Sequence, residues 1–455
     1  MDVVEISRQI EDALTGAPIY DVHTHLVGGG LGARGLHDIL LYHALVSELY
    51  AAGCPDGARL TPYPDTPSDV EVENRIRRAI PFLDRIRNTS NVWMLRQILS
   101  DLYGWDQPIT VDNWRRLHSI IIERSSDPGW PYTVLDRLHI DRSVTEYVKR
   151  NSGVDDDRLL YAVEWGMVTR AQWDDEYDTP LYELERCWAM PEAGGPMDIG
   201  GRRLPLARRI RSAEDAHEAT EHFVSAIPAM AIAMATHLST DLEYRVVSPA
   251  EFDEALGRRG RAGSRERDVY ASFLNEQLLM QLSARRPDVV FQFSFGAEPL
   301  PYETGVRLRA ATLGQLGQMV ARYPALRFQC NNAARGANQS LCSLARELPN
   351  LSLAGYWWHS FYPDGIEEVI GERLDMLPVT SQCGFFSDAY CVEWAYGKAR
   401  MVRRQMAIAL AHRVRRGQYG LDDALSIAHS ILYETPEHVL RMSPRPSSGE
   451  HAPIA

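Results

Sequence analysis

The stretch PIYDVHTHLVGGG, Pro18 to Gly30, decides how the chain is read. It opens with a short apolar run behind a proline and closes on three glycines, the pattern of a buried strand running into a turn. Two histidines, His23 and His25, flank Thr24 at its end. In a strand, residues i and i+2 point to the same face, so both imidazoles face one side and can share a cation at ~2.0–2.1 Å. A lone His-x-His is weak evidence, and its meaning depends on what surrounds it.

Working outward, residues 1–16 read as a short amphipathic helix before the strand. After it comes a long helical region, roughly 36–130. LHDILLYHALVSELYAAG carries apolar residues at helical spacing and stops at Gly53. TSNVWMLRQILSDLYGW offers Thr89 or Ser90 as its cap and Gly104 as its stop, and TVDNWRRLHSIIIER repeats the pattern. No strand signal interrupts this block, which reads as an insertion after the first strand.

From about 136 the texture changes. Short apolar runs, from LHIDRSVTEY to VTSQCGFFSD, alternate with helical stretches at 210–226, 265–285, 312–323, 337–347 and 364–374. Alternation of this kind predicts parallel strands joined by crossover helices. Counting PIYDVH gives eight strands, and the expected fold is an α/β (β/α)8 TIM-type barrel. The expected organisation is an N-terminal helix and first strand (1–26), a helical insertion or lid (27–135), the rest of the barrel (136–430) and a frayed C-terminal extension (431–455).

The totals agree with a soluble globular chain: 455 residues, 45% hydrophobic and 24% charged. A net charge of -13 argues against nucleic acid or an anionic membrane as the main partner, since both require a basic footprint. The six scattered cysteines form no CxxC and read as reduced thiols of a cytoplasmic protein. The acid-bearing N-terminus has no apolar signal-peptide core, and no run is long enough to cross a membrane. A small-molecule substrate is the expected partner; a homo-oligomer is open.

In a barrel of this kind, chemistry sits at the C-terminal strand ends. Barrel closure makes strand eight the neighbour of strand one, so Asp388, in GFFSD, falls beside His23 and His25. Two imidazoles and a carboxylate suit one catalytic divalent ion, zinc first, with manganese, iron or cobalt as alternatives. The competing reading makes Asp388 a helix cap.

Here PIYDVHTHL resembles the opening metal motif of the amidohydrolase superfamily. The helical insertion, LSLAGYWWHS and GFFSDAYCVEWAYGKARMVRRQM are similar to its uronate isomerase (glucuronate isomerase) branch, in order over roughly residues 15–415. The resemblance implies a metal site at His23, His25 and Asp388, proton transfer by Asp388, and aldose–ketose isomerisation of a sugar acid or related polyol. His237, after strand four, matches a family histidine, and Tyr42 or His43 is the expected lid-side acid or oxygen-binding group.

The chain departs from the family at four places. LLYHAL swaps the family's His-Tyr to Tyr42-His43. Ser294 stands where the family has a strand-five histidine. The family's Asp-Ser-Arg reads Asp388-Ala389-Tyr390, and its strand-three arginine falls at Glu164. Arginine is the usual fork for a carboxylate, so its loss predicts a poor pocket for one. Arg335 or Arg34 is a candidate replacement. Trp358 and His359, with Tyr390, complete the expected substrate-binding set. An alternative activity follows: a metal-dependent hydrolase or lyase acting on a non-uronate substrate, neutral or amine-bearing if Glu164 faces it.

Overall fold

The computed structural model describes residues 2–26, 31–55, 57, 60, 68–146, 157–165, 179–189, 207–238, 244–259, 263–296, 310–358 and 361–440. Within them, eight strands form one parallel sheet in sequential order: β1 (Ile19–Thr24), β2 (Ile140–Glu146), β3 (Leu159–Glu164), β4 (Ala231–Leu238), β5 (Val290–Phe295), β6 (Phe328–Asn332), β7 (Leu351–Ala354) and β8 (Gln382–Cys383). The fold is the expected (β/α)8 barrel.

β8 is far shorter than VTSQCGFFSD suggests. Beyond Cys383 the chain leaves regular pairing, and Gly384 N–H donates to the Ile431 carbonyl. The same segment still closes the barrel against β1. Val22 N–H donates to Phe385 O, Asp388 N–H to His23 O, and His25 N–H to Ala389 O. Closure thus brings the segment holding Asp388 alongside the two histidines.

The barrel interior is packed with small and branched residues, among them Val144, Ala162, Ala233, Val290 and Cys383. Gln292 crosses it, its Nε2 donating to Val22 O at 2.9 Å and to Gln329 Oε1 at 2.8 Å. Exterior helices follow the predicted stretches, for example Ala213–Ser225, Ser264–Arg285 and Pro363–Met376.

Between β1 and β2 the described residues hold helices and no strand. Ser90–Tyr103 starts behind Thr89, whose hydroxyl accepts from Val92 N–H, and stops at Gly104 in the left-handed region. The stretch 36–51 differs from expectation: it is two helices, Leu36–Leu40 and His43–Ala51, broken at Leu41–Tyr42. Tyr42 is extended there (φ -59°, ψ 142°). Its ring stacks on Trp394 at 4.3 Å and its hydroxyl donates to the Asp388 carbonyl at 2.6 Å. Those contacts reach a segment about 350 residues away, which local periodicity does not register.

The insertion is pinned to the helix Val392–Arg415. Glu393, fully buried, accepts hydrogen bonds from Ala33 N–H, Tyr103 Oη–H and Trp130 Nε1–H. Trp394 Nε1–H donates to Ile39 O at 3.1 Å. No helix among the described residues is long and apolar enough to cross a membrane.

Candidate active site

β1 and the turn after β8 bring His23, His25 and Asp388 together. One ligand atom from each lies within 4.8 Å of the others. His25 Nε2 stands 3.0 Å from Asp388 Oδ1, and His43 Nε2 lies 3.6 Å from Asp388 Oδ2. The donor set, two imidazole nitrogens and a carboxylate in a nearly buried mouth, fits a divalent ion with coordination positions left for substrate.

Asp388 occupies the left-handed region (φ 52°), uncommon for a residue other than glycine. Hydrogen bonds hold that turn, among them Asp388 N–H to His23 O, Tyr42 Oη–H to Asp388 O, and Lys398 Nζ–H to Ser387 O. Lys398 also donates to the Tyr42 hydroxyl at 2.9 Å. Its ammonium sits over the rings of Tyr42 and Phe361, at 5.1 and 5.0 Å.

Burial governs the charges here. It would raise the Asp388 carboxyl, but the His25 hydrogen bond and the charges of His25 and Lys398 outweigh it and hold the group well below the usual carboxylate range. Burial pushes His43 down to about 3, against the pull of Asp388, so its imidazole is neutral. It lowers Lys398 to about 8, opposed by Asp388 and Asp21. Asp21, two residues before His23, is raised to about 7 by burial despite its bond from Ser387 N–H.

A cavity of about 400 Å3 opens beside this centre. Asp388, His43 and Lys398 line one part of it, Trp358 and Phe361 give an aromatic wall, and Glu48 lines it from the same helix as His43. The His43 ring lies 4.9 Å from Trp358, and Tyr390 stacks on His25 at 4.9 Å. Tyr42, His43, Trp358 and Tyr390 therefore cluster around the Asp388 turn.

The remaining candidates do not line that cavity or are outside the described residues. His237, Ser294 and Asn331 are register partners at the ends of β4, β5 and β6. Ser294 and Asn331 lie two residues beyond the barrel-crossing Gln292 and Gln329, which puts them on the inward face. His237 packs on Trp357 at 5.1 Å. Glu164 ends β3, half-buried, and is not among the residues lining the cavity. Arg335 pairs with Glu368, and Arg34 with Asp38 at 2.8 Å, so each arginine already has a carboxylate partner. His359 lies outside the described residues, as do the loop residues Asp241, Glu243 and Glu298.

Sequence reasoning missed Lys398 and Glu48. A signal for the first was present: Lys149 and Lys398 are the chain's two lysines among 48 basic residues. In a chain that otherwise uses arginine, a lysine inside WAYGKARM stands out.

No family model matches the chain, and no curated protein does. Solved structures do resemble it. Glucuronate isomerase from Caulobacter crescentus superposes with a TM-score of 0.77 at 14% identity, covering 98% of this chain and 95% of that one. Uronate isomerase from Thermotoga maritima gives 0.75 at 12% identity, over 96% and 97%. The uronate isomerase from Bacillus halodurans gives 0.70 at 17%, over 97% of each. The chain has the fold of these enzymes along its whole length.

Proposed function

We propose that the protein is a divalent-metal-dependent isomerase of the amidohydrolase superfamily, uronate isomerase-like. It would interconvert the aldose and ketose forms of a sugar acid or related polyhydroxylated compound. The observation that carries this reading is the convergence of His23, His25 and Asp388, with His43 on the second Asp388 oxygen. The shared fold supports it.

In this reading His23, His25 and Asp388 hold the ion, zinc first and manganese, iron or cobalt next. A divalent ion bound there supplies Lewis acidity toward a substrate oxygen. Asp388 takes the proton from the carbon beside the carbonyl and returns it to the neighbouring carbon. Neutral His43, 3.6 Å from Asp388 Oδ2, is placed to pass a proton to the carbonyl oxygen and to recover one from the neighbouring hydroxyl. Tyr42 keeps its own proton on the Asp388 carbonyl, so its work is orientation. The isomerase reading requires a cation near the substrate, and Lys398, lining the cavity, is available for that.

The test incubates metal-reconstituted protein in D2O with D-glucuronate, D-galacturonate and neutral aldoses, followed by NMR, with His23→Ala in parallel. Ketose from the parent and none from the variant is the expected result. No turnover of any aldose, with metal bound near one equivalent, would overturn the isomerase reading. A second reading would then lead: a hydrolase or lyase in which Asp388 accepts the proton of an attacking water. One observation favours it: no arginine is among the described residues lining the cavity.

A further inference from the structure

We infer that Glu48 is a specificity-determining residue. It makes the cavity a site for a polyol or amino-polyol whose end remote from Asp388 carries a hydroxyl or ammonium group, not a second carboxylate. This rests on the reading of the Asp388 centre as the reacting end.

The cavity has two unlike poles on one helix. His43 opens His43–Ala51 and meets Asp388; Glu48 follows five residues later. At the rise of an α-helix that displaces the two by roughly 7.5 Å along the axis, a span suited to a chain of about six carbons. Both residues line the same cavity.

At the near pole the one cation among the described residues lining the cavity is Lys398. Two of its three donors are already committed, to the Tyr42 hydroxyl and the Ser387 carbonyl. It can offer one N–H to a carbonyl or alkoxide oxygen beside Asp388, and it cannot form the fork that an arginine presents to a carboxylate.

At the far pole stands an acid held in place: burial pushes the Glu48 carboxyl up, and the hydrogen bonds from Thr89 and Asn91 oppose that shift. Glu48 Oε2 accepts from Thr89 Oγ1–H and Oε1 from Asn91 Nδ2–H, each at 2.7 Å. These two bonds stop the half-buried carboxylate from swinging into solvent. Each of its oxygens keeps a lone pair for a further donor. The remaining polar wall is neutral: Ser47, Asn88 and Ser90 line the cavity with hydroxyls and an amide. A ligand reaching this end meets hydroxyls and an amide that can donate or accept, and one carboxylate that only accepts when ionised. Hydroxyls and ammonium groups satisfy it; a carboxylate faces like charge. Trp358 and Phe361 cover the apolar carbon face between the poles.

A structural role for Glu48, tying His43–Ala51 to the start of Ser90–Tyr103, is compatible with those two bonds. Ligand discrimination separates the two roles, because a purely structural glutamate would not rank ligands by charge.

The experiment is calorimetric titration of the zinc-loaded full-length protein with three non-reacting probes: D-glucitol, D-glucamine and D-gluconate. The expected order is glucamine tightest, then glucitol, then gluconate. Glu48→Gln should reduce the glucamine-over-glucitol preference by about tenfold. Asn88→Asp, which adds an acid to the same wall without touching those hydrogen bonds, should strengthen the preference and serves if Glu48→Gln does not fold. Gluconate binding tighter than glucitol, a Glu48→Gln preference equal to the parent's, or no probe binding while zinc stays bound would each overturn the inference. Failure to hold zinc would instead overturn the metal reading, which is how the two failures are told apart.

Discussion

Lys398 Nζ donates to the Tyr42 hydroxyl at 2.9 Å, and that hydroxyl in turn donates a hydrogen bond to the Asp388 carbonyl. The pair joins the helix Val392–Arg415 to the break before His43–Ala51, and the turn carrying Asp388 lies between them. Tyr42→Phe leaves a buried ammonium one acceptor short, and should cost about 1–3 kcal/mol in chemical denaturation. Lys398→Met removes that ammonium, so the double variant should be less destabilised than the sum of the singles. Additive singles would mean that the two residues act independently.

Zinc should stabilise the native protein by about 2.7 kcal/mol when present at a hundred times its dissociation constant. The rise in melting temperature should vanish in His23→Ala and persist in His43→Ala. An equal rise in parent and His23→Ala would place the ion elsewhere.

Asp388 has a left-handed backbone, so its two simplest truncations should differ. Both Asp388→Gly and Asp388→Ala delete the carboxylate and should abolish the zinc-dependent rise. The glycine variant should nonetheless be more stable than the alanine variant by about 1 kcal/mol, because only alanine brings a Cβ into that conformation. Equal denaturation midpoints would show that the turn relaxes when the carboxylate goes.

His37 gives a pH dependence remote from the metal residues. Burial lowers it to about 4, against the pull of Asp38, whose Oδ1 lies 3.3 Å away. Between about 4 and its unfolded value of about 6.5 the unfolded chain binds more protons, so stability rises with pH through that window. The contribution is complete above the unfolded pKa and is lost as pH falls toward the folded one. Taking the parent from pH 7 to pH 5 should cost on the order of 2 kcal/mol from this residue. His37→Asn should flatten the slope of stability against pH; an unchanged slope would assign it to other groups.

Much of the barrel is legible in the chain. Alternating apolar runs and helical stretches specify crossover units, and parallel strands so connected close in sequence order. Two histidines at i and i+2 are neighbours by strand geometry alone, and closure makes the last strand's turn adjacent to the first. Thr89 and Gly104 mark a helix because capping is a local property. The rest was settled by contacts between distant segments. The break at Leu41–Tyr42 interrupts a stretch whose apolar spacing is continuous, and it is held by contacts to Trp394 and Asp388. Lys398 lies on a helix whose periodicity marks it merely as one more buried position, and its meaning comes from Tyr42 and Ser387. Glu48 reads as an ordinary acid on an insertion helix until Thr89 and Asn91 fix it on the cavity wall. Short-range rules of propensity and period thus determined the barrel, the histidine pair and the place of Asp388. The charge pattern around them was decided by tertiary structure alone, because burial and electrostatic pairing depend on distance in space and not along the chain.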